Sequence, residues 1–330
     1  MDDITRIVQE MYRRYPYPSR EAGIRKLTEL HNLLQLFAHE AAFDFRGKRM
    51  LDAGTGTGHR LVEAARHMAE TSFVAVDMSE ASLAVARGLA ADGALRNVEF
   101  QPRNLLGDLS GLGRFDAITC LGVLHHLSNP AAGLANLVAR LEDHGILFLY
   151  LYGAPGGRER MRRKQIVTTL MERRDDFEGG LRLIKELQFE SLEYGWNLTG
   201  VDGPVKDGLL VDAYLNVNEA LYDSQAIAAL MRGSGLAGYT LFGISSAKAG
   251  YLFDTALGGG ATGVPITEAG KFLPTPHTRA CYERLPLPKK IELVEAFYQP
   301  NGYTLVAFKG EAHRRLPAGC RLLRNFLPLG

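Results

Sequence analysis

The 330-residue sequence has little that would cross-link it or carry it into a membrane. Its three cysteines, Cys120, Cys281 and Cys320, are odd in number and far apart, which speaks against a disulfide framework and fits a reducing compartment. No apolar run approaches the roughly 20 residues that span a bilayer. The opening MDDITRIVQEMYRR is charged and amphipathic and lacks the apolar core of a signal peptide. Net charge is also nearly absent, at +1, so no global field draws the chain to nucleic acid or to an anionic surface. No cluster of His, Cys, Asp or Glu has metal-ligand spacing, so no metal is expected. There is no internal repeat or low-complexity segment. The expectation is a cytoplasmic globular protein without membrane association, and the composition leaves a homodimer open.

Against these absences stands one dense feature, Arg49-Met50-Leu51-Asp52-Ala53-Gly54-Thr55-Gly56-Thr57-Gly58-His59. An apolar run ends in an acid, three glycines fall at every second position, and a helical pattern follows. This reads as a strand feeding a tight turn, where missing side chains let a flat polar ligand lie against backbone. The helix after it aims its first N–H groups at the same place. Further apolar runs at 73–76, 98–101, 115–120 and 145–151 alternate with helical patterns at 58–69, 79–91 and 130–141. Such alternation predicts βαβ units and a parallel sheet. The pattern breaks at 153–222 and resumes with a helix at 224–234 and a strand at 237–245. It breaks again at 247–297, where a helix is expected at 288–298, and closes with a strand at 302–309. Before the sheet, helices are expected at 4–15 and 22–42, separated by Tyr15-Pro16-Tyr17-Pro18, whose prolines end the first. The domain reading is an N-terminal helical lid (1–44), a core (45–152 and 223–310), two insertions (153–222 and 247–297) and a basic tail (311–330).

The glycine spacing separates two ligand classes. A dinucleotide fingerprint is G-x-G-x-x-G, whereas this turn is G-x-G-x-G. Asp52, just ahead of it, would repel a pyrophosphate but suits a ligand carrying an ammonium group. Asp77 ends the second strand, where a carboxylate can accept from two ribose hydroxyls; Ser79 is available to cap the next helix in its place. Asn104 and Leu105 follow the third strand, placed to read and pack an adenine ring. Together LDAGTGTG (51–58), FVAVD (73–77) and FDAITCLGVLHHL (115–127) resemble the class I S-adenosylmethionine-dependent methyltransferases, in particular their small-molecule branch. The resemblance covers about 45–151, with 224–245 and 302–309 matching the family's closing elements. It implies a Rossmann-like α/β fold, a seven-stranded, mainly parallel sheet in which 302–309 is the antiparallel strand. It also implies S-adenosyl-L-methionine as cofactor, with Asp52, Gly54, Thr55, Gly56 and Gly58 at its methionine end. Asp77 would serve the ribose, Asn104 and Leu105 the adenine, and the backbone at Leu121 the amino-acid moiety, with Met78 a further cofactor contact. Many members carry Asp where this chain has Asn104.

Both interruptions leave the sheet at the edge where such ligands bind, so they are expected to cap the methyl group and to enclose a small-molecule acceptor with an N, O or C nucleophile. A base is needed only if the acceptor must lose a proton. His125 and His126, just beyond the fourth strand, are the candidates, with Tyr12 as a further catalytic candidate and Tyr17, Asn216 and Asn218 as substrate contacts. The basic cluster at 158–174 reads as a solvated helix face or as an anion-binding surface; it lacks interleaved aromatics for stacking bases, so nucleic acid is not an expected partner. The alternatives left open are methylation of tRNA or protein, and a non-catalytic protein that binds S-adenosylmethionine.

Overall fold

The computed structural model describes residues 3–19, 29–190, 201–247, 250–253 and 272–329. Residues 22–28 of the expected second helix, with Leu27, and much of 247–297 lie outside them. The glycine-turn strand is β1 (Arg49–Ala53), and β2 (Ser72–Asp77), β3 (Val98–Pro102), β4 (Phe115–Leu121) and β5 (Leu141–Tyr152) all run parallel to it. Later come β6 (Leu236–Ser246), β7 (Gly250–Phe253), β8 (Gly302–Lys309) and β9 (Phe326–Pro328). The sheet order is β3-β2-β1-β4-β5-β8-β6-β7, with β9 also paired to β6. As expected, β8 lies antiparallel between β5 and β6. The seven expected strands form the body of the sheet, and the short β7 and β9 extend it on the β6 side.

The sheet is buried on both faces because its strands are apolar at consecutive positions. Leu51 and Ala53 pack into one cluster and Met50 into the other, as the two-residue side-chain period requires. The first face is covered by α5 (Pro130–Arg140), α9 (Ser224–Met231) and α11 (Leu287–Tyr298), which insert Leu134, Ile227 and Ile291. The second is covered by α2 (Glu29–Ala41) and α3 (His59–His67), with Phe37 edge-on to Phe148 at 4.9 Å. Beside α3, α4 (Glu80–Asp92) starts at Ser79, whose side chain accepts from Ser82 N–H. Asn129 caps α5 in the same way.

A third cluster lies at the carboxyl edge. Here α1 (Asp3–Arg14) joins α6 (Ala154–Leu170), α7 (Phe177–Glu186) and α8 (Gly203–Leu215) around Met11, Val167, Phe177 and Leu210. Each large apolar side chain buried there contributes about 1.5–3 kcal/mol. A buried ion-paired group shares this interior. Arg160 and Lys164 of α6 both donate to Glu219, and Arg160 also donates to Ala213 O at 2.8 Å. Burial opposes ionisation of Glu219, yet Lys164 and Arg160 hold its pKa well below the usual carboxylate range. The basic cluster is therefore divided: Arg160 and Lys164 turn inward, while Arg162 and Arg163 pair with Glu159 of the same helix.

The basic tail packs onto the sheet: Leu322 is buried, Thr240 Oγ1 donates to Leu322 O, and β9 pairs with β6. In the second interruption, α10 (Pro276–Glu283) and α11 pack with Tyr282, Ile291 and Val294 in the first-face cluster, because their apolar sides match it. Among the described residues of the two interruptions, those that reach the site described next belong to α8.

Candidate active site

A cavity of about 370 Å³ opens at the carboxyl ends of β1 to β4, beneath α1 and α8. Its floor is the glycine turn. Gly54, Gly56 and Gly58 all have positive φ, but contact constrains them as much as conformation does. A Cβ on Gly56 would lie 2.4 Å from Tyr17 O, and one on Gly58 would meet Ala86 of α4 at 2.6 Å. The first of these contacts is part of a joint with the N-terminal segment: Thr57 Oγ1 donates to Pro18 O at 2.8 Å. The segment 15–18 is thus seated on the turn, and Tyr17 and Pro18 line the cavity.

At this end Asp77 Oδ2 accepts from Gly56 N–H at 2.9 Å and Oδ1 from Ser79 N–H at 2.8 Å. Burial pushes its carboxyl pKa up, and those two N–H groups oppose the shift. Met78, Asn104 and Leu105 complete the wall, with Leu121 and Gly122 at the end of β4. Gln9 of α1 donates to Met78 O at 3.1 Å, which ties the first helix to this end of the site. Asn104 Oδ1 accepts from Leu106 N–H at 2.9 Å, so the amide oxygen is fixed by its own loop.

At the other end, side chains converge from distant parts of the chain. Tyr12 of α1 donates to Asp212 Oδ1 of α8 at 2.7 Å, and Asn216 Nδ2 donates to Tyr12 Oη at 3.2 Å. Asn216 Oδ1 accepts from Asn218 N–H, and Asn218 Nδ2 donates to the carbonyls of His126 and Leu127. The circuit closes where His126 Nδ1 lies 3.0 Å from Asn218 O. A carbonyl only accepts, so Nδ1 carries the proton and Nε2 is the basic nitrogen. Burial lowers the His126 pKa, with Asp212 and Glu219 opposing, so the ring is neutral at pH 7. Burial and then Asp212 raise the pKa of Tyr12, which keeps it a donor.

A methyltransferase-domain family model matches residues 51–147, the span from the glycine turn to β5. Over that span the chain carries a methyltransferase domain. An uncharacterized protein of Synechococcus sp. is 31% identical over 254 residues, 71% of this chain and 59% of its own. A ubiquinone biosynthesis O-methyltransferase of Coxiella burnetii is 33% identical over 127 residues, 38% of this chain and 53% of its own. The chain thus spans little more than half the length of these curated relatives. Among solved structures, PKMT2 from Rickettsia typhi shares the fold at 18% identity with TM-score 0.56, covering 89% of this chain and 52% of that one. The same protein in complex with AdoHcy gives TM-score 0.55 at 17% identity, covering 90% of this chain and 53% of that one.

Of the residues singled out from sequence, Gly54, Thr55, Gly56, Asp77, Met78, Asn104, Leu105 and Leu121 line the cavity, as do Tyr12, Tyr17 and His126. Gly58 packs on α4 instead. Asp52 is buried off the cavity wall, accepting from Thr119 Oγ1 at 2.7 Å; burial pushes its pKa up against that bond. His125 is also off the wall, stacked on Tyr152 at 3.8 Å between ring centres, with neither ring nitrogen hydrogen-bonded among the described residues. Asn216 and Asn218 do not face the cavity; they brace Tyr12 and His126. Asp212 was not singled out. Its signal was a lone carboxylate in Gly208–Leu215, a helical stretch whose every residue is buried. Among the described residues no His/Cys/Asp/Glu group of three or more could hold a metal, and no helix is long and apolar enough to cross a membrane.

Proposed function

We propose that the protein transfers a methyl group from S-adenosylmethionine to an enclosed small-molecule acceptor, with His126 as the base. The observation that carries this reading is that one cavity joins the glycine turn to the His126–Asp212–Tyr12 group. The donor set suits the cofactor: a carboxylate at the tip of β2, apolar Met78 and Leu105, and exposed backbone at Gly54–Gly56 and Leu121–Gly122 match a ribose, an adenine and an amino-acid end in turn. When bound, S-adenosylmethionine supplies an activated methyl on a sulfonium. Asp77 would hold the ribose, Leu105 and Asn104 the adenine, and the turn with Asp52 beneath it the methionine end. Tyr12 and Tyr17, on the N-terminal segment, exclude water over the reacting atoms. His126, its Nδ1–H held by Asn218, receives at Nε2 the proton the acceptor gives up. His125 acts from behind Tyr152 as packing. The two inward-turned cations of α6 are occupied by Glu219, which leaves that helix poorly suited to a polyanion.

The test has two stages. Calorimetry should show binding of S-adenosylmethionine and not of NAD; NAD binding alone would sink the reading. Labelled donor should then mark the low-mass fraction of a bacterial extract. Label appearing only in RNA or only in protein would overturn the small-molecule assignment.

A further inference from the structure

The charges around the cavity are unevenly placed. Among the described residues that line it, Arg60, Asp77 and Arg103 stand at the donor end, on or beside α3, β2 and β3. Among the described residues that line the acceptor end, the one charged side chain is Asp212, 7% exposed and hydrogen-bonded to Tyr12; Arg160, behind the Tyr152 ring, is paired with Glu219. Around it the wall is aromatic, with Tyr12, Tyr17, Tyr150 and Tyr152. A carboxylate in such a wall repels an anionic acceptor and attracts a cation, which aromatic faces also favour. His126 adds a second hydrogen-bond acceptor through Nε2, since Nδ1 is already committed to Asn218 O. A hydroxyl has one hydrogen and can satisfy one of the two groups. An ammonium has hydrogens for both.

We infer that the methyl acceptor is an amine, bound as its ammonium between Asp212, the tyrosine rings and His126. This rests on the methyltransferase reading above and names its substrate class. One N–H proton passes to His126 Nε2, giving an imidazolium. The freed nitrogen lone pair attacks the donor methyl carbon, the carbon–sulfur bond breaks, and its electron pair stays on sulfur as a neutral thioether. The product is the methylated ammonium, so charge and atoms balance. Asp212 holds the ammonium in place beside the imidazolium.

The test uses the whole protein with labelled S-adenosylmethionine and a low-mass bacterial metabolite extract divided on ion-exchange resins. Label is expected in products whose acceptors were retained on the cation exchanger. Label confined to acceptors in the neutral or anion-retained fractions overturns the amine assignment and leaves the transferase reading standing. No label in any fraction, with S-adenosylhomocysteine still bound, overturns both. In the isosteric Asp212→Asn variant, labelling of the cation-retained acceptors should fall at least 100-fold while S-adenosylhomocysteine affinity changes less than threefold. A selective loss of S-adenosylmethionine affinity, unmatched by S-adenosylhomocysteine, would assign Asp212 to the donor's sulfonium and overturn the inference. Asp212→Glu should recover part of the labelling, an outcome that a purely packing role would not give.

Discussion

At the donor end of the cavity the walls are largely backbone and their positions follow the sheet, whereas at the acceptor end the polar groups come from three separate parts of the chain. The turn at 54–58 and the tips of β2 and β3 take their positions from the sheet register itself. Tyr12, His126, Asp212 and Asn216 meet only because α1, α8 and the loop after β4 are packed together. The first kind of site tolerates loss of a side chain and suffers from gain of one. The second kind fails when any one partner leaves, because the others are then buried without a hydrogen bond.

The sharpest way to test this contrast is His126→Gln. Turnover should fall about 10²- to 10⁴-fold, the usual contribution of a positioned base, with S-adenosylhomocysteine affinity held within threefold. A parallel loss of cofactor affinity would show that the two ends are not separable. Next is Glu219→Gln, which removes the buried negative charge that faces Arg160 and Lys164. Stability measured by urea unfolding should drop by about 3–5 kcal/mol; a drop below about 1 kcal/mol would mean that the helices over the acceptor end do not depend on this pair.

Smaller effects belong to the donor end. Asp77→Ala should weaken cofactor binding by about 1.5–3 kcal/mol, the scale of hydrogen bonds to a charged group, as read by calorimetry; unchanged affinity would remove Asp77 from the ribose. The mildest effect is on pH. Burial lowers the pKa of His126 from an ordinary value near 6.5, so the base is already neutral at pH 7. Protonation, and with it loss of kcat/KM, should begin only below that value as pH falls. A profile that still rises between pH 7 and 8 would point to a different proton acceptor.

The same contrast explains what could be read from the sequence. The βαβ alternation, the order of the closing strands and the ring of residues from Gly54 to Leu121 follow from local pattern, since strand, turn and helix are contiguous there. Ser79 as the helix cap, with Asp77 left to the cavity, was legible for that reason. The acceptor end was not. Asn216 and Asn218 looked like substrate contacts because they are polar and near the site, yet their amides are spent on Tyr12, His126 and Leu127. Asp212 passed unnoticed because its one local signal, a lone carboxylate in an apolar helical stretch, does not tell which cavity or partner the side chain meets. The basic residues at 158–174 gave the converse error of emphasis, as their pairing with Glu219 joins positions more than fifty residues apart.

The joint between Tyr17-Pro18 and Gly56-Thr57 has a consequence for anyone recombining this chain with its relatives. Segment 15–18 and the glycine turn are separated by a helix in sequence but form one mechanical part, and they must be grafted together. A foreign N-terminal segment joined to this core would arrive without the carbonyls that Thr57 and Gly56 fit. Conversely, a glycine turn from another member with any side chain at position 56 would lift the segment off its seat. Chimaeras that cross over between residues 18 and 56 should therefore express as folded cores with a displaced first helix, whereas exchanges that move both sides of the joint should keep it closed.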